Sequence, residues 1–443
     1  MKVLKFGGTS VGSIENLIRV KEIITSDHDK KVVVCSAMSG VTDQLVALAD
    51  ASEQKEVESV KEIINKLHEK HISTASILLE KYEVQKNEVN IGISSIIEEL
   101  SKLVAADFTA TTRDEIVTFG ERILTFIFSS YLAASGVTNQ LLDAKEFMHV
   151  DQVDNPNINQ VSELLNGIIS KQPTEIYITQ GFVCRDQQKQ ITTLKRGGSD
   201  YSATIIGAAV LATEVQIWTD IDGLHNNDPR FVEGTYPISS LTYNEAAELA
   251  YFGAKILHPQ TVSPIASKNI PVFLKNTFEP QAQGTVISNQ NPVKGLKAIS
   301  AKDGITAIKI KSNRMLMAHG YLKHIFEIFD NNQTSIDMIT TSEVAISLTI
   351  DNTSKLAVIR KELEACATEV AIDQNQSIIC IVGEAVIEDQ KAYKLFEILN
   401  ELPVRMISYG GSRNNISLLV NTEDKIKSLQ FLNQKLFIEG VTV

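Results

Sequence analysis

Along the first ~280 residues, short apolar runs alternate with longer stretches of helical spacing. The runs Val3–Phe6, Val32–Cys35, Glu175–Thr179, Val215–Trp218 and Pro271–Leu274 have the length and continuity of strands buried on both faces. Between them, Glu53–Tyr82 and Glu88–Ala106 carry charges and apolar residues at helical spacing, while Arg122–Leu132 is apolar almost all round and predicts a buried helix. A further helix is predicted to start near Ser13, and a small-residue helix over Ala203–Ala212. This alternation predicts an α/β fold with a mostly parallel sheet covered on both faces by helices.

Small, polar and glycine residues follow each strand. Val3–Phe6 runs into Gly7-Gly8-Thr9-Ser10, Val32–Cys35 into Ser36-Ala37-Met38-Ser39-Gly40, and Val215–Trp218 into Thr219-Asp220. Strands often simply end in turns, but the carboxyl edge of an open α/β sheet is also where ligands bind.

Around Gly284–Gly295 the composition turns to Gly, Asn, Gln and Pro, a linker signal. Beyond it the chain repeats. Phe326-Glu327-Ile328-Phe329 is echoed by Phe396-Glu397-Ile398-Leu399, and Ile346-Ser347-Leu348 by Ile416-Ser417-Leu418, both at an offset of 70 residues. Two copies are too few for a solenoid and predict two small modules of one fold, each a strand, a helix and two further strands.

Composition narrows the function. The 443 residues carry 42 Lys plus Arg against 54 Asp plus Glu, a formal charge of −12, which is unsuited to a polyanion partner such as nucleic acid. No uninterrupted apolar stretch reaches the ~18–20 residues of a membrane span, and the amino terminus does not read as a secretory signal. Cys35, Cys184, Cys366 and Cys380 are widely spaced, as expected of thiols in the reducing cytoplasm. His68 and His71 share a helical face but have no nearby third ligand, so no metal site built of protein side chains is expected.

Two motifs suggest phosphate chemistry. Lys5-Phe6-Gly7-Gly8-Thr9-Ser10-Val11-Gly12 sets a glycine-rich turn between a strand and a helix, where backbone N–H groups can meet phosphate oxygens. It lacks the lysine that ends a Walker A loop; its lysine comes before the turn, inside a buried strand, a costly position unless the ammonium meets an anion. Leu194-Lys195-Arg196-Gly197-Gly198-Ser199-Asp200-Tyr201 repeats the logic at a second helix start, where Asp200 either complements the helix dipole or orients a cation such as Lys5. Phe119-Gly120-Glu121-Arg122 offers a carboxylate for a substrate ammonium, or simple charge matching at a helix start. With Arg230 and Lys255 also beside turns or small residues of an acidic chain, these pieces suggest phosphoryl transfer, which rests on positioning and charge neutralisation.

These segments, together with Trp218-Thr219-Asp220 through Asp228-Pro229-Arg230, Phe252-Gly253-Ala254-Lys255-Ile256-Leu257-His258-Pro259 and Ile339-Thr340-Thr341-Ser342-Glu343-Val344, resemble the aspartate kinase family over essentially the whole chain. The resemblance implies an amino-acid-kinase catalytic domain over 1–288, a first ferredoxin-like ACT module over 305–374, and a second built from 294–304 plus 375–443. It implies transfer of the ATP γ-phosphoryl group to the β-carboxylate of L-aspartate, with Mg2+ accompanying ATP, as the first step toward lysine, threonine and methionine. Carried over by position, Lys5 and Asp200 would be catalytic, and Ser36, Thr42, Glu121, Arg196, Gly197, Gly198 and Ser199 would bind substrate. Lys5, Gly7, Gly8, Thr219, Asp220, His225, Arg230, Lys255 and Ile256 would contact ATP, although His225 stands where relatives commonly carry tyrosine.

The chain most resembles the lysine-sensitive, single-function branch. Met315, Tyr321, Leu322, Ser335, Ile336, Asp337, Ser342 and Glu343 match its effector pocket, whereas Met317 departs from the histidine expected there. Lysine is the implied effector, with threonine the runner-up. A homodimer through the ACT modules is implied, with a tetramer as the larger alternative, and no homoserine dehydrogenase domain is expected. The competing readings are another amino-acid kinase, acting on glutamate or a related acid, and a non-catalytic amino-acid sensor.

Overall fold

Strands that are apolar on both faces need cover on both sides, and the amino-terminal part of the chain supplies it. The structure, a computed structural model, describes residues 1–152, 155–195, 197–253, 259–290, 293–312, 319–388 and 393–439. Two compact units form: Met1–Leu224 with Ser239–Tyr243 and Leu257–Asn289, and His225–Ile238 with Asn244–Ile256 and Gln290–Val443. Two stretches that precede residue 288 in sequence therefore belong spatially to the second unit.

The first unit holds an eight-stranded sheet. Its strands are β1 (Lys2–Phe6), β2 (Lys31–Cys35), β3 (Asn139–Leu141), β4 (Ile176–Gln180), β5 (Glu214–Thr219), β6 (Ser240–Leu241), β7 (Val272–Asn276) and β8 (Thr285–Ile287). They lie in the order β6-β8-β7-β5-β1-β2-β4-β3, and only the β7–β8 pair is antiparallel. The five predicted strands recur within one or two residues; β3, β6 and β8, of two or three residues each, are too short to show in the sequence pattern.

Helix α1 (Ile14–Ile24) starts where predicted, with the Ser13 hydroxyl accepting a hydrogen bond from the Asn16 N–H at 3.2 Å. The stretch predicted as one helix from Glu53 is instead shared between α2 (Val41–Glu53) and α3 (Val57–Leu78), separated at Lys55, which takes a left-handed φ of 59°. Helices α4 (Glu83–Ala105) and α5 (Phe119–Ala134) follow. Leu17, Leu45, Leu67, Ile93 and Phe128 from these helices pack with Leu4, Phe6, Val33 and Cys35 in one core. The run Thr111–Ala134 has the length and apolarity of a membrane span, yet 72% of its most apolar window is buried inside the fold, so it serves here as a core helix. Lys5, alternating with Leu4 and Phe6, faces the other side of the sheet.

The second unit contains a six-stranded antiparallel sheet with strands β9 (Gly295–Lys311), β10 (Ile339–Thr341), β11 (Ala345–Ile350), β12 (Glu369–Glu384), β13 (Met406–Ser412) and β14 (Asn415–Asn421), in the order β10-β11-β9-β12-β14-β13. The repeated motifs occupy equivalent places: Ile328 on α7 (Tyr321–Asn331) and Ile398 on α8 (Tyr393–Leu399) are buried, as are Ile346 and Ile416 on the matching strands β11 and β14. The long strands β9 and β12 run through both halves, with the register broken between Lys302 and Ile305, where Gly304 has φ +77°. Ile308, Ile325 and Leu348 centre one core; Ile299, Leu395 and Leu418 centre the other.

Candidate active site

Lys5 sits one residue before the end of β1. Its ammonium lies 2.6 Å from Asp200 Oδ1, in the first turn of α6 (Gly198–Ala209). Both side chains are nearly buried, at 11% and 13% exposure. Among the described residues Lys5 has no other polar partner, so donor capacity remains for a ligand.

The pair lines a cavity of about 260 Å³ with Ser36, Thr42, Glu121, Phe182, Lys195, Gly197, Gly198 and Ser199. Local structure explains how each wall is built. Ser36 follows β2 and its N–H donates to Phe6 O at 3.1 Å, while Thr42 lies in the first turn of α2. Gly197 caps α6 with φ +71°, a conformation that favours glycine. A Cβ on Gly198 would stand 2.5 Å from the Phe182 ring, so the loop closes against the wall only because this residue has no side chain.

Glu121 is held in α5 because Gly120 lets the helix approach Ala37, whose Cβ would be 2.7 Å from a side chain at 120. Its carboxyl is buried and Oε2 has no hydrogen-bond partner among the described residues. Burial pushes its pKa up to about 8, against the pull of backbone N–H groups. A group so placed gains strongly from a cation.

Every substrate-site residue named from the sequence, Arg196 apart, lines this one cavity. Arg196, Lys255, Ile256 and Met315 lie outside the described residues. Phe182 and Lys195 were missed. Lys195 pairs with Asp114 at 3.2 Å, and Phe182, with φ +70°, stands two residues past the carboxyl end of β4.

The expected nucleotide residues are more scattered. Gly7 and Gly8 form a tight turn: the Gly7 N–H donates to Trp218 O at 3.3 Å, and a Cβ on Gly8 would lie 3.2 Å from Ala37 O. Thr219 and Asp220 stand at the end of β5, outside the cavity lining, with the Thr219 hydroxyl donating to Asp220 at 3.0 Å. His225 and Arg230 belong to the second unit, where His225 Nδ1 lies 3.0 Å from the Thr235 hydroxyl and Arg230 grips Asp228 through two nitrogens at 2.9 and 2.6 Å.

Relatives decide the family. Residues 1–276 match the model of the amino acid kinase family, and residues 379–436 match the ACT domain. Lysine-sensitive aspartokinase 3 of Escherichia coli K12 is 32% identical over 98% of this chain and 99% of its own length. The chain belongs to the aspartokinase family. Aspartokinase 2, chloroplastic, of Arabidopsis thaliana is 35% identical over 98% of this chain and 84% of its own length. The crystal structure of E. coli aspartokinase III in complex with aspartate and ADP (R-state) superposes with a TM-score of 0.85, covering 99% of this chain and 100% of that one at 32% identity. The same enzyme in complex with lysine and aspartate (T-state) gives 0.81 over 99% of each chain. This aspartokinase is thus a phosphotransferase with a carboxyl acceptor, an amino-acid-kinase fold followed by ACT modules, and an enzyme of amino-acid biosynthesis under allosteric control.

Its expected effector residues fall in three places. Ser335 and Ile336 line a cavity of about 530 Å³ beside Phe326 and Phe329; Tyr321 and Leu322 open the same helix, α7, but are not part of that lining. Ser342 and Glu343 occupy the exposed tip between β10 and β11, where the Ser342 N–H donates to Ala345 O at 2.8 Å. Asp337 turns inward: its Oδ1 accepts from the Tyr251 hydroxyl at 2.8 Å and from Lys302 at 2.9 Å, while Oδ2 has no partner among the described residues.

Proposed function

We propose that the cavity beside Lys5 holds L-aspartate with its β-carboxylate facing the terminal phosphoryl group of ATP. The observation that carries this is one cavity walled by both an unsaturated Lys5–Asp200 pair and a buried carboxyl with an unpartnered oxygen, Glu121. Lys5 neutralises charge on the transferring group and Asp200 holds the ammonium in place. Glu121 receives the substrate ammonium, Arg196 its α-carboxylate, and Ser36, Thr42 and Gly197–Ser199 complete the pocket. The acceptor is already a carboxylate, so no general base is needed.

Gly7, Gly8, Thr219, Asp220, His225, Arg230, Lys255 and Ile256 contact ATP in this reading. Mg2+ arrives on the ATP phosphates, where it offsets negative charge; oxygen donors such as Asp200 and Ser199 suit a hard cation. The catalytic domain spans 1–288, with ACT modules over 305–374 and over 294–304 plus 375–443. The enzyme works as an ACT-linked homodimer in the cytoplasm, a compartment that suits its four widely spaced cysteines. A hydroxamate assay with ATP and Mg2+ tests the reaction: product with aspartate and none with glutamate is expected, and the reverse selects another amino-acid kinase.

Lysine is the proposed inhibitor, binding Met315, Tyr321, Leu322, Ser335, Ile336, Asp337, Ser342 and Glu343. An ammonium group of the effector would then share Asp337 with Lys302. Lys302→Met leaves that carboxylate short of a cation, so the half-inhibitory lysine concentration is expected to fall by ~5-fold, within the usual range of coupling between sites. An unchanged value would remove Asp337 from the effector site.

A further inference from the structure

We propose that a second cavity, on the sheet face opposite Lys5, binds a small organic anion. The cavity, of about 460 Å³, lies between α1 and the strands β1, β5 and β7, and its wall carries Lys2, Arg19, Lys31 and Lys275 against the carboxylates of Glu22 and Asp27. Asp29 and Glu214, 2.8 and 3.9 Å from the Lys2 ammonium, complete the charge balance around the two strand-opening lysines, so the cations left without a carboxylate are local to the other end of the cavity.

Two of these cations are already satisfied. Lys31 and Lys2 pair with Asp27 at 2.6 and 2.9 Å, and Lys2 also reaches Asp29 at 2.8 Å. Arg19 and Lys275 are different. Neither has a carboxylate within 4.0 Å among the described residues, although both are half-buried. Each rests on an aromatic face instead: Arg19 lies 5.3 Å from the centre of Phe278 and donates one neutral hydrogen bond, to Asn16 Oδ1 at 3.2 Å, and Lys275 lies 5.2 Å from the centre of Trp218. Such contacts position a cation without discharging it. The wall between them includes Leu4 and Ile23, so the site suits a phosphate or carboxylate head on a partly apolar body.

Occupancy is connected to catalysis through Trp218. Its carbonyl accepts from the Gly7 N–H and from the Ser10 hydroxyl, each at 3.3 Å, so the residue beneath the ligand also anchors the glycine-rich turn.

Trp218 is the only tryptophan in the sequence and reports on the site directly. Its fluorescence would be titrated in the full chain with inorganic phosphate, pyrophosphate and citrate, which separate phosphate from carboxylate recognition. At least one is expected to give a saturable change, weakened ~10-fold or more in Lys275→Met and in Arg19→Gln, the scale of one charge-assisted contact, and retained in Lys275→Arg. Thermal melts of each variant separate lost binding from lost folding, and aspartate kinase activity without added anion should persist in all three. The absence of any saturable change up to about 10 mM, a weak-binding limit, would overturn the proposal. So would a change equally strong in Lys275→Met and Arg19→Gln, which would put the anion elsewhere.

Discussion

The first unit contains two nearly buried lysines on adjacent parallel strands, each 2.6 Å from an aspartate oxygen, and they serve opposite ends. Lys31, on β2, is 1% exposed and donates to three oxygens: Ile24 O at 2.8 Å, Asp27 O at 3.1 Å and Asp27 Oδ1. Its three N–H groups are accounted for, and nothing remains to offer a ligand. Lys5, on β1, has Asp200 alone and opens onto a cavity. A buried cation with a complete set of acceptors is architecture; one left incomplete at a cavity wall is equipment for an incoming anion. Burial and a short ion pair do not separate the two cases, whereas the tally of acceptors does.

The largest effect should come from Lys5→Met. Turnover is expected to fall ~10²-fold or more, the scale of removing one preorganised donor, with little change in melting temperature. Near-wild-type turnover in this variant would erase the distinction. Next, Glu121→Gln should raise the KM for aspartate ~10-fold, as expected when a buried charged hydrogen bond is lost, with a smaller effect on kcat.

The same residue gives a pH test. Burial lifts the Glu121 pKa from 4.5 to about 8, so in the folded free enzyme this carboxyl stays protonated at pH 7 while the unfolded chain ionises it. Its contribution to folding is therefore neutral below about pH 4.5 and becomes increasingly unfavourable up to about pH 8. Binding a substrate ammonium favours the ionised form. Calorimetry at pH 7 in buffers of different ionisation enthalpy should show roughly one proton released per aspartate bound, and none in Glu121→Gln.

The smallest effect belongs to Lys31→Met. It should cost about 1–3 kcal/mol of stability, at the low end because Asp27 is 42% exposed and can return to water. Turnover per folded molecule should not change. Burial disfavours the Asp27 carboxylate, but Lys31 and Lys2 hold its pKa down to about 2, so the stabilisation they bring is lost as pH falls from about 4 toward 2. The variant's denaturant midpoint should accordingly depend less on acid over that range.

Much of this contrast was legible in the sequence, and its limits are physical. Lys5 stood out because a lysine inside a short apolar run, followed at once by two glycines, violates the strand pattern. Lys31 opens its strand, where a charge looks ordinary, so its burial was invisible. Glu121 could be flagged from a helix start, but its isolation depends on Gly120 meeting Ala37, a contact between segments 83 residues apart. Phe182 and Lys195 reach the cavity through left-handed backbone, with φ of 70° and 56°, which non-glycine residues do not advertise. Edge strands such as Ser240–Leu241 carry too few residues to show a period. The 70-residue echo revealed two modules but not that β9 and β12 would each serve both.

That sharing has a consequence for how the carboxyl-terminal half can be dissected. β9 has 17 residues and β12 has 16, and each crosses from one core to the other without leaving the sheet. Excising either module would strip a hydrogen-bonding neighbour from what remains and leave a raw, sticky edge. The stretch that was copied in sequence is therefore smaller than the piece that folds: the duplicated halves are welded along a common backbone seam and have to be expressed, mutated and inherited as one.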